Sequence, residues 1–134
     1  MRNMKKYGWI FGKWTFLILV AMYIAMAIHF SLSAVSEYYY IYIFYFTGCF
    51  IFGPSTTLFP LLYPQLIETG EMHHDQFWLG IPLTFVIPGV PTNISVYYGT
   101  IIHGVFSGLL SWLFLHLPSI LILYGILANW DSYR

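Results

Sequence analysis

The chain has 134 residues, of which 59% are hydrophobic and only 7% are charged. An ordinary soluble domain carries about 25% charged residues, so this composition excludes a soluble globular protein and indicates an integral membrane protein. The formal net charge is zero, which removes the electrostatic attraction that a nucleic-acid partner would need. The single cysteine, Cys49, cannot form an intrachain disulfide. By length, residues 1–134 form a single transmembrane domain.

The first predicted membrane span covers residues 14–35. It is longer than the apolar part of a signal peptide, and at 1.5 Å per residue it reaches about 33 Å, enough to cross a bilayer. Four of the five basic residues of the chain lie before it, namely Arg2, Lys5, Lys6 and Lys13. The positive-inside rule therefore predicts a cytoplasmic N-terminus and a multi-pass protein of the cell membrane.

Two Gly-Pro breaks interrupt the apolar stretches that follow. The first break, Gly53-Pro54, lies within residues 38–63, and the second, Pro88-Gly89, lies within residues 77–103. Proline removes a backbone donor and clashes with the preceding turn, so each break frees peptide groups that lipid cannot satisfy. Broken helices of this kind are typical of binding sites in membrane transporters.

The second broken segment predicts a re-entrant hairpin. Residues 77–87 and 93–103 each allow a helix of about 16 Å, which is half the hydrocarbon thickness. One kinked full crossing is the alternative. The preceding polar loop, residues 64–76, is cytoplasmic if residues 38–63 cross the membrane fully. A last span over residues 104–128 completes an all-α, multi-pass fold with broken or re-entrant helices at the two Gly-Pro motifs.

Polar residues that commonly start helices follow each break. A helix N-terminus presents unpaired N–H groups and the positive end of the helix dipole, so it binds anions without a charged side chain. If the two N-termini converge, they form an oxyanion site. The alternative is that these residues only cap helices and that the Gly-Pro pairs only make kinks. The predicted substrate-binding residues are Gly53, Pro54, Ser55, Thr56, Pro88, Gly89, Thr92 and Asn93.

Ionisable side chains in or near the membrane spans are candidates for proton coupling. His103 ends the predicted hairpin and Glu68 lies in the polar loop, and these two residues are the predicted coupling groups. His29 and His116 also lie in apolar segments, and we interpret them as structural. A neutral histidine is less costly to bury than a fixed charge, which favours that interpretation.

Other chemistries have little support in the sequence. The adjacent pair His73-His74 cannot share one helix face and has no cysteine beside it, so we interpret the polar loop as solvated rather than as a metal site. No nucleophile–base pair indicates an enzyme, and no Gly-Lys phosphate loop indicates the use of ATP. Neither a metal nor a cofactor is predicted.

Several short motifs occur in one order over about two thirds of the chain. Together they resemble the chromate transporter family: Phe52-Gly53-Pro54, Phe59-Pro60-Leu61-Leu62, Glu68, Asp75-Gln76-Phe77, Pro88-Gly89, Asn93, Gly99, Gly104 and Leu117-Pro118-Ser119. The resemblance implies an oxyanion transporter built of broken helices, whose single-domain members pair to assemble the transport unit. It places the family's motifs on Gly53, Pro54, Pro88, Gly89 and Asn93.

The chain departs from the family pattern at four positions. Thr69 and Gly70 stand where the family has basic residues, Phe85 where it has Gln, and Ile101 where it has Arg. The predicted function is secondary active transport of a tetrahedral oxyanion such as chromate or sulfate, by a homodimer or by pairing with a second membrane chain. The alternative, favoured by the short length and the missing Arg and Gln, is a non-transporting accessory subunit of a larger membrane complex.

Overall fold

The computed structural model describes residues 2–32, 39–51 and 55–133. These residues form only helices, and no strand occurs among them, so the predicted all-α fold is confirmed. The α-helices are α1 (Arg2–Leu32), α2 (Tyr39–Phe50), α3 (Leu58–Ile67), α4 (His74–Val86), α5 (Ile94–His103) and α6 (Val105–Tyr133). Two one-turn helices, Ser55–Thr57 and Pro91–Asn93, precede α3 and α5.

Two helices contain segments that are long and apolar enough to cross a membrane. They are Gly12–His29 in α1 and Val105–Leu127 in α6. α1 itself begins at Arg2, ahead of the predicted span 14–35, because polar residues continue a helix beyond its apolar part as readily as apolar ones. Residues 33–35 of that predicted span lie outside the described residues.

Small residues bring α5 and α6 into close contact. A Cβ atom on Gly99 would lie 2.7 Å from the Ser107 carbonyl oxygen, and one on Gly108 would lie 2.7 Å from the Val96 carbonyl oxygen. Backbones this close leave no room for a larger side chain, which is the packing that small residues provide between membrane helices. The same pairings make α5 and α6 antiparallel, with Gly104 at the bend (φ 92°).

α1 and α2 cover other parts of α6. Gly48 of α2 lies against the Leu115 carbonyl group, in the first half of α6. Gly125, in the second half of α6, lies against the Thr15 side chain of α1. The N-terminal part of α1 is therefore beside the C-terminal part of α6, so these two long helices are antiparallel as well.

α2 and α3, on the two sides of the first break, fold back on each other. The two helices are in contact, and the Gln65 side-chain nitrogen lies 3.5 Å from the Thr47 hydroxyl oxygen. Tyr40, near the start of α2, and Glu71, after α3, both neighbour His103. α2 and α3 therefore form a short antiparallel pair, in which the 12-residue α2 reaches about 18 Å. The placement of this pair in the bilayer and the side on which the polar loop lies stay predictions.

α4 and α5 form an antiparallel pair on either side of the second break. The Tyr98 ring stacks on the Phe77 ring at a centroid distance of 4.9 Å, and the Tyr98 hydroxyl donates to the Phe77 carbonyl oxygen over 3.1 Å. At the start of α4, the backbone amide of His73 donates to the Gln76 side-chain oxygen over 3.2 Å. This cap lets α4 begin earlier than predicted, so the connection between α3 and α4 is residues 68–73. The re-entrant placement of the pair in the bilayer stays a prediction.

The core lies where α2, α3, α4 and α5 meet the first half of α6. Its buried members are mainly aromatic and aliphatic, whereas many large apolar side chains of α1 and α6 are exposed, as Phe16 and Phe106 are at 67% and 73%. Exposed apolar surface on both long helices suits a lipid environment. The core residues are Tyr40, Ile43, Phe44, Leu58, Leu62, Leu66, Met72, Phe77, Ile94, Tyr98 and Leu115.

Candidate functional site

The Pro91–Asn93 turn lies beside the middle of α6. The Thr92 hydroxyl oxygen is 3.0 Å from Nε2 of His116. His116 is the central residue of the apolar segment Val105–Leu127, so it lies about 16 Å along the helix from either end of that segment. The turn of the second break is therefore level with the middle of a helix that can span the membrane.

Two hydrogen bonds fix the His116 ring against this turn. Its Nδ1 lies 2.8 Å from the Trp112 carbonyl oxygen. A carbonyl oxygen only accepts, so Nδ1 carries the proton of the neutral ring and Nε2 accepts from the Thr92 hydroxyl. The ring thus connects α6 to the first residues that lead into α5.

Asn93 is held from two sides. Trp112 donates from its indole Nε1 to the Asn93 side-chain oxygen over 3.0 Å. The amide nitrogen of Asn93 lies next to Gly89, where a Cβ atom would come within 2.9 Å of it. Gly89 has a φ of 141°, which side-chain-bearing residues rarely adopt. The side-chain oxygen of Asn93 therefore already accepts a hydrogen bond, and the N–H donors of the same side chain lie on the Gly89 side of the turn.

Two buried hydroxyls lie along the contact between α5 and α6, close to the turn. Ser95 and Ser111 are fully buried, and neither hydroxyl oxygen has a hydrogen-bond partner among the described residues. Ser95 follows Thr92 by three positions and so lies on the same side of the helix, while the Ser111 hydroxyl faces Gly99. An unpartnered buried hydroxyl costs about 1–3 kcal/mol. Water or a bound ligand is the usual reason that such a group is retained.

The turns that follow the two breaks meet. The Ser55–Thr57 turn contacts the Pro91–Asn93 turn, so the N-termini of the helices α3 and α5 lie next to each other. Thr56 is exposed, as Asn93 is. The structure therefore brings together the predicted residues on the C-terminal side of each break. Gly53 and Pro54 lie outside the described residues, as does the side chain of Ser55.

The predicted coupling residues lie away from this meeting point. His103 ends α5, about 15 Å along the helix from Asn93, and Glu68 is the exposed C-cap of α3. His103 instead neighbours Tyr40 and Glu71. Burial raises the pKa of the Glu71 carboxyl, and the nearby His103 partly offsets this effect.

His116 and Trp112 are site residues that the sequence analysis did not select. His116 was interpreted as structural, although its ring contacts the break through Thr92. The available signal was its position in the middle of the last apolar span. Trp112 carries no such signal, because an aromatic residue in a membrane helix is ordinary.

An apolar groove adjoins the site, and no metal centre accompanies it among the described residues. The groove has a volume of about 680 Å³ and runs between α4 and α6, with Asn93 and Trp112 among its lining residues. In the part of the chain that the structure describes, no group of three or more His, Cys, Asp or Glu side chains could hold a metal ion.

Apolar long helices, short helices that fold back on each other and polar side chains beside the middle of α6 are typical of membrane transport proteins. A family model, that of the chromate transporter, matches residues 38–134. The chain therefore belongs to the chromate transporter family, as the motifs indicated, and its class is that of membrane transporters of chromate-like anions. α1 precedes the matched region. No curated protein and no solved structure matches the chain significantly.

Proposed function

We propose that this chain binds a tetrahedral oxyanion, chromate or sulfate, between its two breaks and moves it by secondary active transport. The observation that supports this proposal is the contact between the Ser55–Thr57 and Pro91–Asn93 turns beside the midpoint of α6. Two helix N-termini at one place bring the positive ends of two helix dipoles together. Such termini bind anions without a basic side chain, which suits a chain that lacks the family's Arg.

Each residue of the proposed site has a distinct role. The amide of Asn93 and the hydroxyl of Thr92 donate to the anion from the second break, and Thr56 and the backbone of Ser55 approach it from the first. Gly89 allows the turn that places Asn93, since its φ of 141° excludes most other residues. Gly53, Pro54 and Pro88 belong to the site by their positions in the two breaks.

Transport follows from rocking of the broken helices, in which α2, α5 and the first half of α6 move together because their backbones are in close contact. Broken helices of secondary transporters move in this way around a binding site near the bilayer midplane. The apolar groove between α4 and α6 provides room for such a movement. The transport unit is a homodimer or a pair with a second membrane chain, in the cell membrane, with the N-terminus in the cytoplasm.

Oxyanion flux into liposomes tests the proposed function. The purified chain is reconstituted, and uptake of labelled chromate and sulfate is measured for the unaltered protein, Asn93→Ala and Gly89→Leu. Saturable uptake is expected from the unaltered chain. Each variant is expected to lose at least about tenfold, because a lost hydrogen bond to a charged ligand is worth roughly 1.5–3 kcal/mol.

Gly70→Leu is the matched control for Gly89→Leu. Gly70 also has a positive φ, 78°, but it lies in the 68–73 connection and no atom lies within 4 Å of its Cβ position. We expect this variant to retain uptake. Normal uptake by both site variants would contradict the assigned site, while absence of uptake by the unaltered chain would favour the accessory-subunit alternative.

A further inference from the structure

The geometry points to His116 as the residue that makes anion binding depend on a bound proton: its protonated ring supplies positive charge beside the oxyanion, and the freed Thr92 hydroxyl donates to the anion. This inference rests on the proposed anion site and assigns to that site its one titratable group. It moves the coupling role from His103 and Glu68, which lie at the other end of α5 and after α3, to the middle of α6.

Among the described residues, no side chain with a fixed positive charge lies near the site. The described side chains with a fixed charge are Lys13, Glu68, Glu71 and Asp75. Lys13 follows Gly12, which lies beside the C-terminal half of α6, and the three carboxylates lie at the opposite end of the bundle. A divalent oxyanion in the middle of the span therefore has only dipoles to balance its charge. A cationic ring there would lower that electrostatic cost substantially, because charges interact strongly in a low-dielectric surrounding.

Protonation of His116 changes two donors at once. In the neutral ring, Nδ1–H donates to the Trp112 carbonyl and Nε2 accepts from the Thr92 hydroxyl. When Nε2 gains a proton, it becomes a donor and the Thr92 oxygen becomes the acceptor. The hydroxyl proton of Thr92 is then released to point at another acceptor. The proton therefore brings a positive charge and frees one O–H donor, and both changes favour an oxyanion.

Among the described residues, the other histidines on the elements packed around His116 lie elsewhere: His103 ends α5 beside Tyr40, and His29 of α1 lies beside Ile41. The Pro91–Asn93 turn contributes Thr92 and Asn93, neither of which titrates. α5 contributes the phenol of Tyr97, which lines the same groove as Trp112. α2 contributes the phenol of Tyr45 and the thiol of Cys49, whose residue types are neutral at pH 7, and α1 contributes the phenol of Tyr23. Histidine is the side chain that titrates between about pH 5 and pH 8.

Sulfate binding as a function of pH tests this inference. Sulfate is the probe because, unlike chromate, it stays a dianion between about pH 5 and about pH 8, so only the protein titrates. Binding of labelled sulfate to the full chain in detergent is expected to weaken by about tenfold per pH unit on the alkaline side, the slope of one linked proton. In weak buffer, about one proton should be taken up with each sulfate bound.

Two substitutions of His116 distinguish an effect of its positive charge from a purely structural role of its side chain. His116→Gln keeps hydrogen-bonding groups without a titratable charge and should bind sulfate weakly at every pH, with no proton uptake. His116→Arg carries a permanent charge and should bind at about pH 8 as tightly as the unaltered chain binds at about pH 5. A structural role would instead predict that both variants weaken binding equally. His103→Gln is the matched control and should keep the pH dependence.

The outcomes separate this inference from the proposed function. Sulfate binding that shows no pH dependence and no proton uptake in the unaltered chain would overturn the role of His116 and leave the anion site standing. Persistence of the pH dependence in His116→Gln would do the same. No sulfate binding by the unaltered chain at any pH would overturn the proposed anion site, and the role of His116 with it.

Discussion

The two halves of α6 make contacts of different kinds. In the first half, Gly108 faces the Val96 carbonyl of α5, and Leu115 presents its carbonyl to Gly48 of α2, so backbone meets backbone. In the second half, Gly125 faces the Thr15 side chain of α1, and the nearest backbone atom is 4.0 Å from its Cβ position. The first half is therefore held in a fixed register, whereas the second half is packed with ordinary tolerance.

The closely packed half of α6 is also the half that carries the proposed site. His116 and Trp112, which hold the Pro91–Asn93 turn, lie in the closely packed half of α6. A shift of α5 by one residue, about 1.5 Å, would separate Thr92 from the His116 ring, so close backbone contact is what keeps the site assembled. α1 packs on the other half and precedes the region that the family model matches. We interpret α1 as an anchor rather than as part of the transport unit.

The largest effect is expected from Gly108→Ala in the first half of α6, and Gly125→Ala in the second half is its comparison. The new methyl group of Gly108→Ala meets the Val96 backbone, which cannot move without shifting α5, and overpacking of this kind costs about 1–3 kcal/mol. In Gly125→Ala the methyl group meets the Thr15 hydroxyl, which can rotate away at the expense of its hydrogen bond to the Gly12 carbonyl, so the cost should be about 1 kcal/mol. Thermal unfolding in detergent, followed by helical circular dichroism, compares the two variants.

Sulfate uptake by the same two variants tests the difference between the two halves of α6 a second time. Gly108→Ala should lose most of the sulfate uptake, because it displaces α5 and with it Thr92 from His116. Gly125→Ala should retain it. Equal losses of stability and uptake in the two variants would show that the halves of α6 do not differ.

A smaller effect is expected from the bond that joins α4 to α5. Tyr98→Phe removes the hydroxyl that donates to the Phe77 carbonyl but leaves the stacked rings in place. One buried hydrogen bond contributes about 1 kcal/mol, so the unfolding temperature should fall modestly. Tyr97→Phe removes a similar bond to the Gln76 carbonyl at a less buried position and should have a smaller effect. An unchanged unfolding temperature in Tyr98→Phe would show that the ring contact alone joins the two helices.

The features predicted from the sequence are those that local residue types determine. Low charge and long apolar segments predicted helices that can span a membrane, and both such segments lie within α1 and α6. Pro88 and Pro91 indicated an interruption between two short helices, and α4 ends at Val86 while the next turn begins at Pro91. Proline acts on its own backbone and on the preceding turn, so its effect is visible without the rest of the fold.

The features that were missed depend on contacts between distant residues. The bond between Thr92 and His116 joins positions 24 apart, and it exists because Gly99 and Gly108 let α5 lie flat along α6. In the sequence, those glycines predict only close packing, without its partner or its register. Likewise, Glu71 comes next to His103 only because the residues after α2 fold back, which an apolar segment of that length does not reveal.

The smallest effect is expected away from the proposed site, at Glu71 in the connection between α3 and α4. Burial raises the pKa of this carboxyl, so the folded state disfavours the charged form that prevails at neutral pH. The resulting loss of stability is present above the folded pKa and disappears as the pH falls below the unfolded value, where both states are protonated. Glu71→Gln should therefore raise the unfolding temperature at about pH 7 and leave it unchanged at about pH 4. The effect should stay below roughly 1 kcal/mol, because water screens a partly exposed carboxylate.

Glu68→Gln, at an exposed position of the same connection, is the control. A rise at about pH 4 as large as that at about pH 7 would trace the effect to packing instead of charge.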